Sequence, residues 1–234
     1  MKSIIQDKSK LVNSVFSKVY KKYDLMNDIM SLGIHRIWKN KLIDWMNPQQ
    51  NENLIDVASG TGDIAKLFSK RNNNLNQITC IEPNKEMYNA GKSNLINFKN
   101  IEWLRAQAEN IPLKNNVFDF YTISFGIRNV SNINLCLKEA FRVLKPGGRF
   151  MCLEFSKIDN ELINLIYHQY SKIIPVLGKY IVGSSKPYNY LIRSIDQFNT
   201  QEELVDLIKS NGFSNVEYRN LSNGISAIHS GWKI

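Results

Sequence analysis

An apolar run, Leu54-Ile55-Asp56-Val57, passes directly into Ala58-Ser59-Gly60-Thr61-Gly62-Asp63. A strand that breaks into a Gly-x-Gly turn before a helix lets the backbone approach a ligand at the carboxyl edge of a sheet, where open α/β folds bind. Alone, such a turn is common to dinucleotide enzymes, nucleotide binders and plain tight turns. Glu82 ends the next apolar run, Ile78-Thr79-Cys80-Ile81, 20 residues beyond Gly62, where a carboxylate can accept hydrogen bonds from both hydroxyls of a ribose. Ala65 stands where a pyrophosphate fingerprint has its third glycine, which counts mildly against that ligand. After the third apolar run, Ala106-Gln107-Ala108-Glu109-Asn110-Ile111-Pro112-Leu113 offers side-chain and backbone groups that could read an adenine. Plainer readings exist for each piece: Asp56 as a turn cap, Glu82 as a solvated strand end, Lys145-Pro146-Gly147-Gly148 as a simple turn.

Positioning these residues requires short strands alternating with helices. Residues 53–59, 77–82, 101–106, 117–125 and 147–155 read as strands, with helices from Asp63, Asn84 and about Asn132 between them. Such alternation predicts a doubly wound, mostly parallel sheet. Before it, residues 11–46 carry apolar positions at helical spacing, a helical cap ended by Pro48. Behind it come residues 157–199, an insertion with apolar helical pieces where lids usually lie, and then residues 200–234. These read as a helix closed by Gly212 and a hairpin turning at Ser222 and Asn223. The expectation is one α/β domain over 1–234: a cap (1–48), a ligand-binding core (53–156), a substrate-side insertion (157–199) and a C-terminal helix and hairpin (200–234).

Composition agrees with that size. The 234 residues are 43% hydrophobic, enough for one full core. A net charge of +9 makes anionic partners plausible, but abundant Lys, Asn and Ile mark an AT-rich genome and weaken the charge as evidence. Cys80, Cys136 and Cys152 lie far apart in apolar surroundings, as buried thiols of a reducing cytosol do. No secretory signal and no run of roughly 20 apolar residues is evident, so the expected location is cytoplasmic, peripheral on the inner face of a membrane.

The order and spacing of the cofactor motifs resemble class I S-adenosylmethionine methyltransferases. Longer stretches are similar to the ubiquinone/menaquinone biosynthesis C-methyltransferase family, the UbiE/MenG type, from about Val15 to the end. They include Lys22-Tyr23-Asp24-Leu25-Met26-Asn27-Asp28, Ser31-Leu32-Gly33-Ile34-His35-Arg36-Ile37-Trp38-Lys39 and Thr122-Ile123-Ser124-Phe125-Gly126-Ile127-Arg128-Asn129-Val130. Leu153-Glu154-Phe155-Ser156, Tyr188-Asn189-Tyr190-Leu191 and Gly224-Ile225-Ser226-Ala227-Ile228-His229-Ser230-Gly231 continue the match. The resemblance implies a Rossmann-like sheet of seven strands with an antiparallel C-terminal hairpin strand. It also implies methyl transfer from S-adenosylmethionine to a ring carbon of a 2-polyprenyl benzoquinol or naphthoquinol. Cofactor contacts carry over to Thr61, Glu82, Gln107 with Ala108, and Ser124, joined by Gly60 and Gly62 of the turn. This chain departs from the family where Glu82 replaces a more usual Asp, Gln107 an Asp or Asn, and Pro187 a Ser. The family's Glu-Ser-Ile-Arg reads Arg193-Ser194-Ile195-Asp196, reversed charges at a spacing that still permits a helical ion pair.

A sulfonium methyl is already electrophilic, so the reaction needs alignment, exclusion of water and removal of a phenolic proton, without a metal or covalent nucleophile. Arg128 and Asn129, following the fourth strand, are candidates to stabilise the phenolate, with a loop salt bridge and turn as the plainer alternative. His35 is a weaker candidate base, and Tyr23 could line the quinol site or relay a proton. Tyr188 and Tyr190 are candidate substrate contacts, or core packing. Residues 162–182 offer an apolar route for the prenyl tail, with Lys172, Lys179 and Lys186 toward lipid head groups. Expected partners are the prenylated quinol, a membrane surface or neighbouring quinone-biosynthesis enzymes in transient contact, and a second copy in a homodimer. Nucleic acid is not expected, because Ser124-Phe125-Gly126-Ile127 stands where base methyltransferases carry Asn/Asp-Pro-Pro-Tyr-like text. A small-molecule O- or N-methyltransferase and a non-catalytic assembly subunit are the alternatives.

Overall fold

The computed structural model describes residues 33–158 and 186–234, together with Ser17, Asp28, Ser31, Glu161, Leu165, Tyr167, Gln169 and Tyr170. Tyr23 and most of the proposed tail route through residues 162–182, including all of 171–182, lie outside the described residues.

Helix α1 (His35–Met46) precedes β1 (Leu54–Val57), α2 (Asp63–Arg71), β2 (Ile78–Ile81), α3 (Lys85–Asn94) and β3 (Ile101–Leu104). Then follow β4 (Phe118–Ser124), a 3-10 turn (Ile127–Asn129), α4 (Ile133–Val143) and β5 (Leu144–Phe155). Within the 157–199 insertion lies α5 (Lys186–Asp196), followed by α6 (Gln201–Ser210), β6 (Ser214–Leu221) and β7 (Ser226–Trp232). The seven strands run in the order β3-β2-β1-β4-β5-β7-β6. The pairings among β1 to β5 are parallel, whereas β7 lies antiparallel between β5 and β6.

β1 and β2 are buried at every position, as strands covered on both faces must be, and their side chains are accordingly almost all apolar. One face packs Trp38 and Leu42 of α1, Phe68 of α2 and Tyr188 and Leu191 of α5 against Phe120, Phe125 and Phe155. The other packs Leu137 of α4 and Leu204 and Ile208 of α6 against Tyr121 and Phe150.

The helix starts expected from sequence are satisfied by local chemistry. Asn84 Oδ1 accepts from the Glu86 and Met87 amides, Asn132 caps Leu135, and Thr200 with Glu203 forms a reciprocal capping box. Gly62 opens α2 with φ +89°, and a Cβ there would lie 2.5 Å from Leu95 Cδ1, so both conformation and space demand glycine. The expected Arg193 to Asp196 pair does not form an ion pair in α5; the Asp196 carbonyl instead accepts from Lys157 Nζ.

Candidate active site

The carboxyl edges of β1 and β4 meet in a cavity lined by Lys39, Asp56, Ser59, Gly60, Thr61 and Ser124, with Asp63 and Phe125 at its border. Both strands leave the sheet through left-handed residues, Ala58 at φ +53° and Phe125 at φ +54°. Such conformations cost energy for side-chain-bearing residues and persist only where surrounding contacts hold them. Here the Phe125 amide donates to the Leu153 carbonyl at 2.7 Å and the Ser59 amide to Ile81 at 3.1 Å. Gly126 lets the two loops close on each other, since a Cβ on it would meet Ala58 Cβ at 2.6 Å.

Glu82, at the end of β2, is buried, and its two carboxylate oxygens accept from the Gly60 and Asn84 amides, each at 2.9 Å. Burial pushes its carboxyl up to about 7 against the pull of those two amides. Each oxygen retains a lone pair that a ribose hydroxyl could use. Thr61 and Ala108 are buried beside this edge, and Gln107 is exposed, its carbonyl accepting from the Asn110 amide. Glu109, in the same stretch, is spent elsewhere: its Oε1 accepts from the Ser131 and Asn132 amides at the start of α4.

Asp56 was visible in the sequence only as a turn cap. In the structure it is buried, its Oδ1 accepts from Thr122 Oγ1 at 2.8 Å, and its Oδ2 is enclosed without a partner. Burial raises its carboxyl to about 7, opposed by hydrogen bonds from Thr122 and Ser59 and by the charge of Lys39. Ser124 Oγ is likewise enclosed and unpartnered. An orphaned carboxylate oxygen and an orphaned hydroxyl suit the ammonium and adjacent polar groups of an amino-acid moiety, and Glu82 suits a ribose. The residues present therefore fit S-adenosylmethionine.

Beyond β4, Arg128 is buried, and its guanidinium forms an ion pair with Glu154 of β5 while Nη1 donates to the Phe125 carbonyl at 2.8 Å. Burial raises the Glu154 carboxyl, and the Arg128 charge opposes the rise. The salt bridge foreseen as the plainer alternative for Arg128 is thus present, with a partner 26 residues away. Asn129 holds the other candidate role at this edge, accepting on Oδ1 from Tyr190 Oη at 2.9 Å. Tyr190 is thereby brought to the site. Tyr188, two residues earlier on α5, is fully buried among Trp38, Phe125 and Phe155, with its hydroxyl unpartnered. Its ring is packed in the core.

His35 is not poised near neutrality. It is buried, Nδ1 meets Ser31 Oγ at 2.9 Å, and burial followed by the Lys39 charge lowers it to about 4, so the ring is neutral and a weak base. Sequence reasoning gave no role to Lys39, although it lies within the Ser31–Lys39 stretch; its Nζ reaches Asp63 Oδ2 at 2.6 Å. Nor did it find Ser17, whose hydroxyl donates to Glu86 and accepts from Asn84 beside Glu82. Among the described residues no group of three or more His, Cys, Asp or Glu could hold a metal ion, and no helix is long and apolar enough to cross a membrane.

Residues 4–233 match the model of the ubiE/COQ5 methyltransferase family. The ubiquinone/menaquinone biosynthesis C-methyltransferase UbiE of Rickettsia bellii is 49% identical over 236 residues, covering 97% of this chain and 94% of that protein. The mitochondrial 2-methoxy-6-polyprenyl-1,4-benzoquinol methylase of Dictyostelium discoideum is 43% identical over 261 residues, covering 98% of this chain and 83% of its own length. Among solved structures, a SAM-dependent methyltransferase from Thermotoga maritima superposes with a TM-score of 0.69 at 21% identity, over 94% of this chain and 99% of that one. One from Aquifex aeolicus gives 0.62 at 17%, over 84% and 89%. The fold is that of class I SAM methyltransferases, antiparallel C-terminal strands included, and the chain belongs to the ubiE/COQ5 methyltransferase family.

Proposed function

We propose that this chain transfers the methyl group of S-adenosylmethionine to a ring carbon of a 2-polyprenyl benzoquinol or naphthoquinol, in ubiquinone or menaquinone biosynthesis. The observation that carries the reading is the enclosed, orphaned Asp56 Oδ2 and Ser124 Oγ beside Gly60 and Thr61, in a chain matched to this family over nearly its whole length.

S-adenosylmethionine, when bound, supplies an electrophilic methyl on sulfur. The protein's part is to bind, orient and keep water out. Gly60, Thr61 and Gly62 bring the backbone close; Glu82 accepts from the ribose; Gln107 and Ala108 flank the adenine; Asp56 and Ser124 take the amino-acid end. Arg128 and Asn129, next to Ser124 in the chain, face the reacting ring. Asn129 is held by Tyr190, so the amide keeps a fixed orientation toward a phenolic oxygen. Arg128 keeps positive charge at the carboxyl edge of β4, where a phenolate develops, and Glu154 fixes its position. Removing the phenolic proton raises electron density on the ring carbon that attacks. Tyr23 stays a candidate to line the quinol site or to relay a proton. Transient association with a membrane surface is supported by the prenyl tail of the substrate.

The test is transfer of isotope-labelled methyl from S-adenosylmethionine to lipid extracts lacking this activity, with the modified atom located by mass spectrometry. Label on a ring carbon of a demethylquinol supports the reading. Label on oxygen or nitrogen, or none despite tight cofactor binding, overturns the substrate assignment.

A further inference from the structure

Lys39 is on α1, part of the helical cap, yet its side chain is 8% exposed and ends inside the cavity bounded by β1, β4 and the start of α2. Taking an ammonium group out of water is expensive unless charged partners receive it. The partner in contact is Asp63, the first residue of α2, at 2.6 Å. Burial alone would raise the Asp63 carboxyl, but the Lys39 charge and hydrogen bond together bring it below its ordinary value. One aspartate at a helix start, itself 40% exposed, does not account for burying a lysine. The same cavity holds a second carboxylate, Asp56, with Oδ2 enclosed and unpartnered. Two acidic groups sharing one cavity oppose each other's ionisation, and a single cation between them relieves both.

We propose that Lys39 is a positioning residue of the donor site: clamped by Asp63, it holds positive charge in the cavity that Asp56 lines, so that Asp56 Oδ2 is favoured as the acceptor for the α-ammonium group at the methionine end of the cofactor. The inference rests on the cofactor reading above. It gives the Lys39 position a chemical reason within the cap, and it makes α1 a structural part of the cofactor site. Charged and titratable groups acting on this cluster are Lys39, His35 and Asp28 from the cap side, Asp63 and Lys66 from α2, and Cys80 from β2. His35 stays neutral there, and Cys80 is a buried thiol whose ionisation burial suppresses.

The test is calorimetric binding of S-adenosylhomocysteine, which retains the amino-acid end, and of 5′-methylthioadenosine, which lacks it. Both are titrated between pH 6 and 9 into the wild-type full chain, Lys39→Met, Lys39→Arg, Asp56→Asn and the Lys39→Met/Asp56→Asn double variant. In Lys39→Met, homocysteine-form binding at pH 7 falls roughly fivefold, the loss expected when a carboxyl near 7 rises by about one further unit, and recovers as pH rises. Methylthioadenosine binding is unchanged in Lys39→Met, which also reports that the variant is folded. Lys39→Arg keeps wild-type behaviour, and Asp56→Asn abolishes the pH dependence that S-adenosylhomocysteine shows beyond methylthioadenosine, whose own dependence reports Glu82, so that Lys39→Met adds no further one. A loss in Lys39→Met that is equal for both ligands, or selective but independent of pH, overturns the proposal, the latter because Lys39 would then contact the cofactor carboxylate directly. No loss at all also overturns it. Should Lys39→Met not fold, persistence in Asp56→Asn of the wild-type difference in pH dependence between the two ligands overturns it by itself. Failure of the wild-type chain to bind S-adenosylhomocysteine strikes the cofactor reading instead.

Discussion

Tyr190 Oη donates to Asn129 Oδ1 at 2.9 Å, tying α5 to the turn that follows β4. The two residues are 61 positions apart, and the bond joins the insertion to the carboxyl edge of the sheet. Replacing Tyr190 by Phe removes the donor and leaves the ring. The expected loss is about 1 kcal/mol, or roughly fivefold, expressed as a raised KM for the quinol with S-adenosylhomocysteine affinity unchanged. Steady-state kinetics with each substrate varied in turn check it.

Arg128 and Glu154 form a buried ion pair, each side chain no more than 3% exposed. Removing one partner of such a pair leaves the other charged and desolvated. Glu154→Gln is therefore expected to lower the free energy of unfolding by about 3–5 kcal/mol in urea titration, with a smaller effect for the double replacement Arg128→Met/Glu154→Leu.

Gly126 is sterically fixed by Ala58, whose Cβ would lie 2.6 Å from a new one. Gly126→Ala is expected to cost ~1–3 kcal/mol by overpacking. It should also weaken S-adenosylhomocysteine binding, because relief of the clash moves the loop that carries Gly60. Calorimetry and thermal unfolding of the one variant report both effects.

Asp56 and Glu82 have carboxyls raised to about 7 by burial. Between the ordinary carboxylate range and about 7, the folded protein holds more protons than the unfolded chain, so these groups lower stability as pH rises through that window. Donor binding uses their charged forms and acts in the opposite direction. The rise in Tm produced by saturating S-adenosylhomocysteine is therefore expected to be larger at pH 8 than at pH 6. His35 and His229, both held near 4 by burial, shift the bound and free curves alike and drop out of the difference. An equal or smaller rise at pH 8 would refute the assignment of Asp56 and Glu82 to the cofactor.

Much of this fold was legible because its signals are local. The seven strand-like runs, the Asn84 and Asn132 helix starts and the turn at Gly60 to Gly62 each depend on neighbours within a few residues. Partners distant in sequence were not legible. Nothing near Lys39 announces Asp63, nothing near Arg128 announces Glu154, and nothing near Glu109 announces the Ser131 and Asn132 amides that its carboxylate accepts from. Tyr188 and Tyr190 look alike in the sequence, but helical geometry turns one into the core and the other toward Asn129. A turn cap is the plainer reading of Asp56 in the sequence; its enclosed, unpartnered oxygen is visible only in the folded chain.

β7 is made after β6 but lies inside it, hydrogen-bonded to β5 on one side and β6 on the other. As the ribosome releases the chain, β6 therefore has no strand to join until β7 has emerged and threaded between them. The order of synthesis and the order of assembly differ at this one point. A nascent chain stalled before Ser226 would hold a five-stranded parallel sheet with β5 as an open edge. That edge leaves the backbone amides and carbonyls of β5 on one side unpaired until β7 covers them.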